Sequence, residues 1–321
     1  MGYKKAIFCL FLACLIWVGQ ACSLKKEEGL KLALLPVEDN FPFFVAEEEG
    51  LFKKAGLKVE LIPVNSARDR DILIQGKSVD GIEADIIAAS LLRKGGTHVK
   101  IISLAMGATP EEGRFVLLLR PGSPIASPQG LKGATLGISE NTIIEYVADR
   151  MLELSGVNPG EVQKVAVPQI PERLQLLLAG RLEAAVLPDP FATLAEQKGC
   201  RVLLDDSKMG TNLSQSVIIF REDSLKAKGQ SVKKLLQIYN EAARMVSENP
   251  GKYYDLFLEK ARIPGELKGV YLTPKYSPAQ LPGRGEVEEV QRWMVAKGLL
   301  PQPYSYEELV DGSYLPGDTA K

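Results

Sequence analysis

Histidine is all but missing from this chain: 321 residues hold one, His98. A lone imidazole leaves no partner to share a metal ion and argues against a Ser-His-Asp relay. Cysteine is equally thin where it would matter. Of four cysteines, Cys9, Cys14 and Cys22 lie at the start, and Cys200 stands alone in the rest. That excludes a disulfide within the mature core and a His/Cys zinc set. A basic excess is also lacking, because Lys and Arg total 39 against 40 Asp and Glu, for a formal net charge of -1. No cationic surface for nucleic acid follows. The chain has no Gly-x-Ser-x-Gly elbow and no phosphate-binding Gly-Lys-Ser/Thr loop. Gly130 and Gly133 precede a predicted strand and do not follow one, so they are not a dinucleotide fingerprint. With 45% hydrophobic and 25% charged residues, what remains is an ordinary globular protein long enough for two lobes.

The first residues read as a leader. Lys4 and Lys5 form a basic start, and the apolar run Ala6 to Val18 is too short for a comfortable membrane span. Residues 1-21 are therefore predicted to be a signal peptide. The junction Gly19-Gln-Ala-Cys22-Ser resembles the bacterial lipobox, in which the cysteine is acylated and becomes the mature N-terminus. Gly19 departs from that pattern, where an aliphatic residue is usual, and Phe11 to Cys14 is a competing match. Plain cleavage, or retention of the leader as an anchor, are the other outcomes. Residues 22-29 then form a lipidated polar tether.

The chain is organised around a duplication. The stretch Arg68 to Gly95 is echoed by Pro171 to Gly199. Each copy reads as a helix closed by glycine (Gly76, Gly180), an acidic residue (Asp80, Glu183), a short apolar strand, then an aspartate (Asp85, Asp189) opening a second helix. The flanks match as well: Lys31 to Pro36 corresponds to Ala134 to Ile138, and Lys58 to Val64 to Val162 to Val167. Strands alternating with helices predict a mainly parallel sheet in each half, with a ligand crevice at the carboxyl ends of the strands. The apolar strands Arg114 to Arg120 and Ser216 to Phe220 belong to neither copy and read as two crossovers. The predicted organisation is lobe one at 30-115 plus 221-300, lobe two at 121-215, and an aperiodic tail at 301-321.

Strand-end loops supply the candidate binding residues. Asp39, Asn40 and Phe41 follow the first strand; Ser66 and Arg68 follow the second; Asp85 follows the third. In the second half Ser139, Asn141 and Thr142, then Asp189, hold the matching places. Each has a plainer use: Ser66, Thr142 and both aspartates suit helix N-caps, Asp189 followed by Pro190 especially, and Asp39 and Asn40 suit a turn. An aspartate can serve both ends, one oxygen to the helix and one to a ligand. Helix N-terminal amides near Ser139 to Thr142 could hold an anion or a carbonyl.

The residues Phe43 to Glu60, Gly76 to Asp80, Leu131 to Gly137 and Leu178 to Ala185 resemble the solute-binding proteins of ABC importers, in the group taking up sulfonates, taurine, nitrate or the pyrimidine precursor of thiamine. The resemblance covers residues 30 to 260. It implies a two-lobed α/β protein of the periplasmic-binding-protein-like type II fold, joined by two crossover strands. It further implies a monomer without a cofactor or catalytic site, exported and anchored by lipid at Cys22, that closes on a small molecule and docks on a membrane permease. Two other classes stay open: a pyrimidine-synthesising enzyme of related fold, which would consume a histidine and use a cofactor-bearing lysine, and a sensor module partnered with a membrane kinase. Charge separates the ligand classes. Glu38, Asp39, Glu83, Asp85, Glu140 and Asp189 lie at strand ends against Arg68, Arg114 and Arg173. That balance predicts a neutral or cationic ligand with N-H donors, such as an aminopyrimidine, stacked near Phe41 and bonded to Asp85 or Asp189; a sulfonate, taurine or nitrate binder is the alternative.

Overall fold

The computed structural model describes residues 29–317, so Cys22 and the leader lie outside the described residues. The strands in chain order are β1 (Leu30–Leu34), β2 (Val59–Pro63), β3 (Gly81–Asp85), β4 (Val99–Met106), β5 (Phe115–Leu119), β6 (Thr135–Ile138), β7 (Gln163–Ala166), β8 (Ala184–Pro188), β9 (Arg201–Asp205) and β10 (Ser216–Arg221). They form two five-stranded sheets, ordered β2-β1-β3-β10-β4 and β7-β6-β8-β5-β9. The duplication is explicit in that order. β1, β2 and β3 pair in parallel, as do β6, β7 and β8, while β10 and β5 each run antiparallel between their neighbours.

The two crossover strands exchange places. β5 follows β4 in sequence but takes its position in the second sheet, and β10 follows β9 but lies in the first. Two close-packed connections result, with Gly107 at φ +84 and the Asn212 side chain bonded to the Gly107 carbonyl. A Cβ at Gly107 would come within 2.9 Å of the Ser214 carbonyl, so the two connections pass each other only because that residue is glycine.

Periodicity explains the helices. Phe41–Glu48 turns Phe41, Phe43, Val45 and Ala46 into the first lobe, where Phe43 meets Tyr239 of the long helix Glu222–Glu248. The helices Ala67–Gln75 and Ile170–Leu178 are equivalent across the duplication, as are Ile86–Lys94 and Phe191–Gln197. Their N-caps follow the sequence reading in part: Ser66 accepts from Asp69 N at 3.1 Å and Asp85 from Ala88 N at 2.7 Å. Asp189 caps from one position earlier than expected, with Pro190 as the boundary residue and Thr193 N donating to it at 2.9 Å. The aperiodic segment after Gly298 also finds a place, burying Leu300, Leu309 and Val310 on the outer edge of β4. No helix of the described residues is long and apolar enough to cross a membrane.

Candidate functional site

Between the lobes lies a cavity of about 430 Å³, at the carboxyl ends of the parallel strands of both sheets. Its first-lobe wall follows β1 (Leu35 to Asp39), β2 (Asn65) and β3 (Glu83 to Asp85); its second-lobe wall is Phe115, Ile143, Gln169 to Pro171 and Pro188 to Phe191. Ser214 to Ser216 close it at the crossover, and Ala261 and Arg262 sit at its rim.

Acids dominate the polar part. Glu38, Asp39, Glu83, Asp85 and Asp189 all line the cavity; Glu140 is exposed and does not. Glu38 and Glu83 are almost fully buried, at 6% and 3% exposure. Burial, reinforced by the neighbouring Asp39 carboxylate, pushes both well above the usual carboxylate range. Tyr271 Oη donates to Glu38 at 2.6 Å and Asn40 Nδ2 to Glu83 at 3.2 Å, which only partly offsets that rise. Desolvation likewise lifts Asp39, Asp85 and Asp189.

The cations near these acids are mostly spent. Arg114 meets Asp205 at 2.9 Å and Glu196 at 2.8 Å and reaches Asp189 only at 3.5 Å. Arg173 is fully buried over β6, where it donates to the Val167 carbonyl at 2.7 Å; burial pushes it down to about 10, and it does not line the cavity. Arg68 points away, exposed on its helix. Arg70, the buried residue at the position equivalent to Arg173, lines the cavity; it binds Asp71 at 2.9 Å and the Glu83 carbonyl at 3.2 Å. Arg262 at the rim donates to Asn65 Oδ1 at 3.4 Å.

The structure gathers some of the expected site residues and separates others. Asp39, Asp85 and Asp189 share the cavity. Asn141 and Thr142 face Asp85 across a side pocket of about 150 Å³ that also takes in Asp71 and Gln75. Asn40 sits behind the wall, bonded to Leu35 O and Glu83. Ser66 and Ser139 are outside the lining, the first used as a cap and the second giving its carbonyl to Thr142 Oγ1. Phe41, expected beside the ligand, is packed into the first-lobe core against Phe257, 5.1 Å between centroids, because it opens a helix whose apolar face turns inward. The aromatic residues on the cavity wall are Phe115 and Phe191.

Sequence reasoning also missed Ser216, whose buried Oγ has no hydrogen-bond partner among the described residues. Its signal was its place at the start of β10, in register with Asp85. His98 is exposed at the start of β4, and the cavity lining holds no Cys, His or Lys.

Set beside known proteins, residues 37–253 match the NMT1/THI5 like family. Over 264 residues the chain is 22% identical to a Brachyspira hyodysenteriae (strain ATCC 49526 / WA1) protein named as an ABC transporter periplasmic binding protein, covering 76% of this chain and 72% of that one. The periplasmic aliphatic sulphonate binding protein SsuA of Escherichia coli superposes with a TM-score of 0.75 at 17% identity, over 88% of this chain and 97% of its own. The desulfurization enzyme DSZB superposes at 0.69 with 16% identity, over 88% and 97%. At such identities these two likenesses concern the fold.

Proposed function

The chain belongs to the NMT1/THI5-like family, and on that footing we propose that it is the extracytoplasmic solute-binding component of an ABC importer, holding one small organic molecule between its lobes for delivery to a membrane permease. The periplasmic binding protein relative supports the transport role and the exported location. The same relative, named as a binding protein, supports binding over catalysis. The protein acts as a monomer without a cofactor, tethered to the outer face of the membrane through lipid on Cys22.

The ligand is a neutral or cationic molecule carrying N-H donors, of the aminopyrimidine or similar heteroaromatic class. One observation carries this: five carboxyl groups line the cavity, while Arg70 and Arg114 are paired with acids and Arg262 is exposed at the rim. An anion entering would meet more carboxyl groups than the two arginines acting on them can offset, whereas a donor-rich neutral or cationic molecule would find acceptors. The ring lies against Phe115 and Phe191 of the second lobe, with Asp39, Asp85 and Asp189 as acceptors. An oxyanion ligand is the second reading, favoured by the fold shared with the sulphonate binder and by Arg262 at the rim.

Native mass spectrometry of protein purified from its own cells tests the class directly. A retained neutral or basic nitrogen heterocycle is expected; a retained sulfonate or nitrate would decide for the second reading.

A further inference from the structure

One segment leaves the first lobe, touches the second and returns. It departs from the edge strand β4, where Leu104 N donates to Gln280 O at 2.7 Å. It comes back to the same strand, where Asp311 N donates to Ile101 O at 2.9 Å and Val310 pairs with Ile101. Between these anchors the helix Arg284–Ala296 packs on the first-lobe helix Ile86–Lys94, and Lys94 Nζ donates to Leu299 O at 2.7 Å just past its end.

The same helix is fastened to the second-lobe helix Ile143–Leu154. Trp293 Nε1 donates to Asp149 Oδ2 at 3.0 Å, and its ring meets Tyr146 edge-on, 5.6 Å between centroids. Arg150 pairs with Glu289 at 2.6 Å and Lys297 with Glu145 at 2.6 Å. Glu145 and Asp149 are 2% and 4% exposed, so the contacts of Lys297 and Trp293 end on buried carboxylates, while the pair of Arg150 and Glu289 is partly exposed.

Both helices that this segment bridges begin at the cavity. Asp85 caps one and Ile143 opens the other, and both line the cavity wall. Gln215, at the crossover, also lines the cavity and donates to Glu286 Oε2 at 2.9 Å. The segment therefore spans the two bodies whose relative angle decides whether the cavity is enclosed.

We propose that the helix Arg284–Ala296 is an interlobe latch: through Glu289, Trp293 and Lys297 it holds the lobes together and sets the fraction of closed protein without touching the ligand. Such a device tunes affinity remotely, since apparent affinity scales with the binding-competent fraction. It needs only that the lobes move and is independent of ligand class.

The test is an interlobe distance in the ligand-free full chain. Probes go on Lys53→Cys and Ser127→Cys, both exposed and one in each lobe, with Cys9, Cys14, Cys22 and Cys200 each replaced by Ser so that no other thiol takes a label. Glu289→Arg, which sets like charges together, should shift or broaden the distance distribution relative to the parent. Trp293→Phe, which keeps the ring but deletes the donor, should do so less. Arg150→Glu added to Glu289→Arg should restore most of the parent distribution, a rescue that mere destabilisation would not give. Parent-like distributions in Glu289→Arg and Trp293→Phe, with circular dichroism showing both folded, would overturn the proposal. If Glu289→Arg does not fold, Lys297→Gln carries the same test with the same two outcomes.

Discussion

Asp85 puts one carboxyl group to two uses. Its Oδ1 accepts from Ala88 N at 2.7 Å and closes the end of a helix, while the residue also lines the cavity. Asparagine caps about as well as aspartate, so Asp85→Asn should leave the melting temperature nearly unchanged. Loss of a charged acceptor, about 1.5–3 kcal/mol, should weaken a cationic ligand by roughly 10- to 100-fold. Calorimetric titration of parent and variant reads this, and equal affinities would reduce Asp85 to a cap. A second prediction follows from Glu38 and Glu83. Burial raises both above their unfolded values, so each favours the folded state while protonated, and that contribution is present at low pH and lost as pH rises through the folded pKa. The ligand-free protein should therefore lose stability from about pH 4 upward, and Glu83→Gln should flatten that decline in thermal melts across the range. A decline of the same slope in Glu83→Gln would rule out Glu83 as its source. At this scale the sequence was partly readable. Strand-end acids could be named because a parallel sheet puts its crevice there. Arg70 could not be told from Arg68, two positions away, without noticing that Arg173 occupies the equivalent place in the duplication. Phe41 misled because a residue at the mouth of a loop can still open a helix that faces the core.

The strands β3 and β10 show how tightly the elements meet. A Cβ on Gly81 would come within 2.8 Å of the Ile219 carbonyl and 2.7 Å of the Phe220 ring. Gly81→Ala should thus overpack the sheet and cost about 1–3 kcal/mol, measured by denaturant melts, whereas alanine at exposed Gly251, where no atom lies near, should cost far less. Equal costs at the two positions would mean that the sheet yields freely around β3. The duplication made the elements legible: the paired acids Asp80 and Glu183 mark the same helix-to-strand passage twice, and both sheets carry the predicted parallel strands, although the glycines fall one position out of step, since the left-handed residue after the helix is Gly180 in the second copy but Lys77, not Gly76, in the first. The crossover strands were legible as outsiders to the repeat, although the exchange that places each in the opposite sheet depends on pairing across the chain. The segment Gln280 to Asp311 was less so. The helix itself is marked by the apolar stripe Val287, Val290 and Met294, but its partners, Leu104, Asp149 and Ile101, are far away in sequence, and nothing local names them.

Over the whole molecule, two similar sheets meet at an acid-lined cavity, bridged on one side by the latch helix and on another by Lys198, 3.8 Å from Glu266. The proposed lobes, 30-115 plus 221-300 and 121-215, would close on a ligand by bending at the crossovers. The proposed lipid anchor on Cys22 holds the protein at the membrane. Cys22→Ala should release it to the soluble fraction or leave the leader uncleaved, and unchanged fractionation would remove the lipid anchor from this account. A thermal-shift panel decides the charge of the bound molecule. Aminopyrimidines, simple amines, alkanesulfonates and nitrate are each added to the parent, Asp85→Asn and Asp189→Asn. A true ligand at a hundredfold its dissociation constant stabilises the fold by about 2.7 kcal/mol, enough for a clear rise in melting temperature. The account predicts that rise for the parent with an aminopyrimidine or amine, and a reduced rise in the Asn variants. A rise with the anions alone, undiminished or larger in the Asn variants, would contradict it.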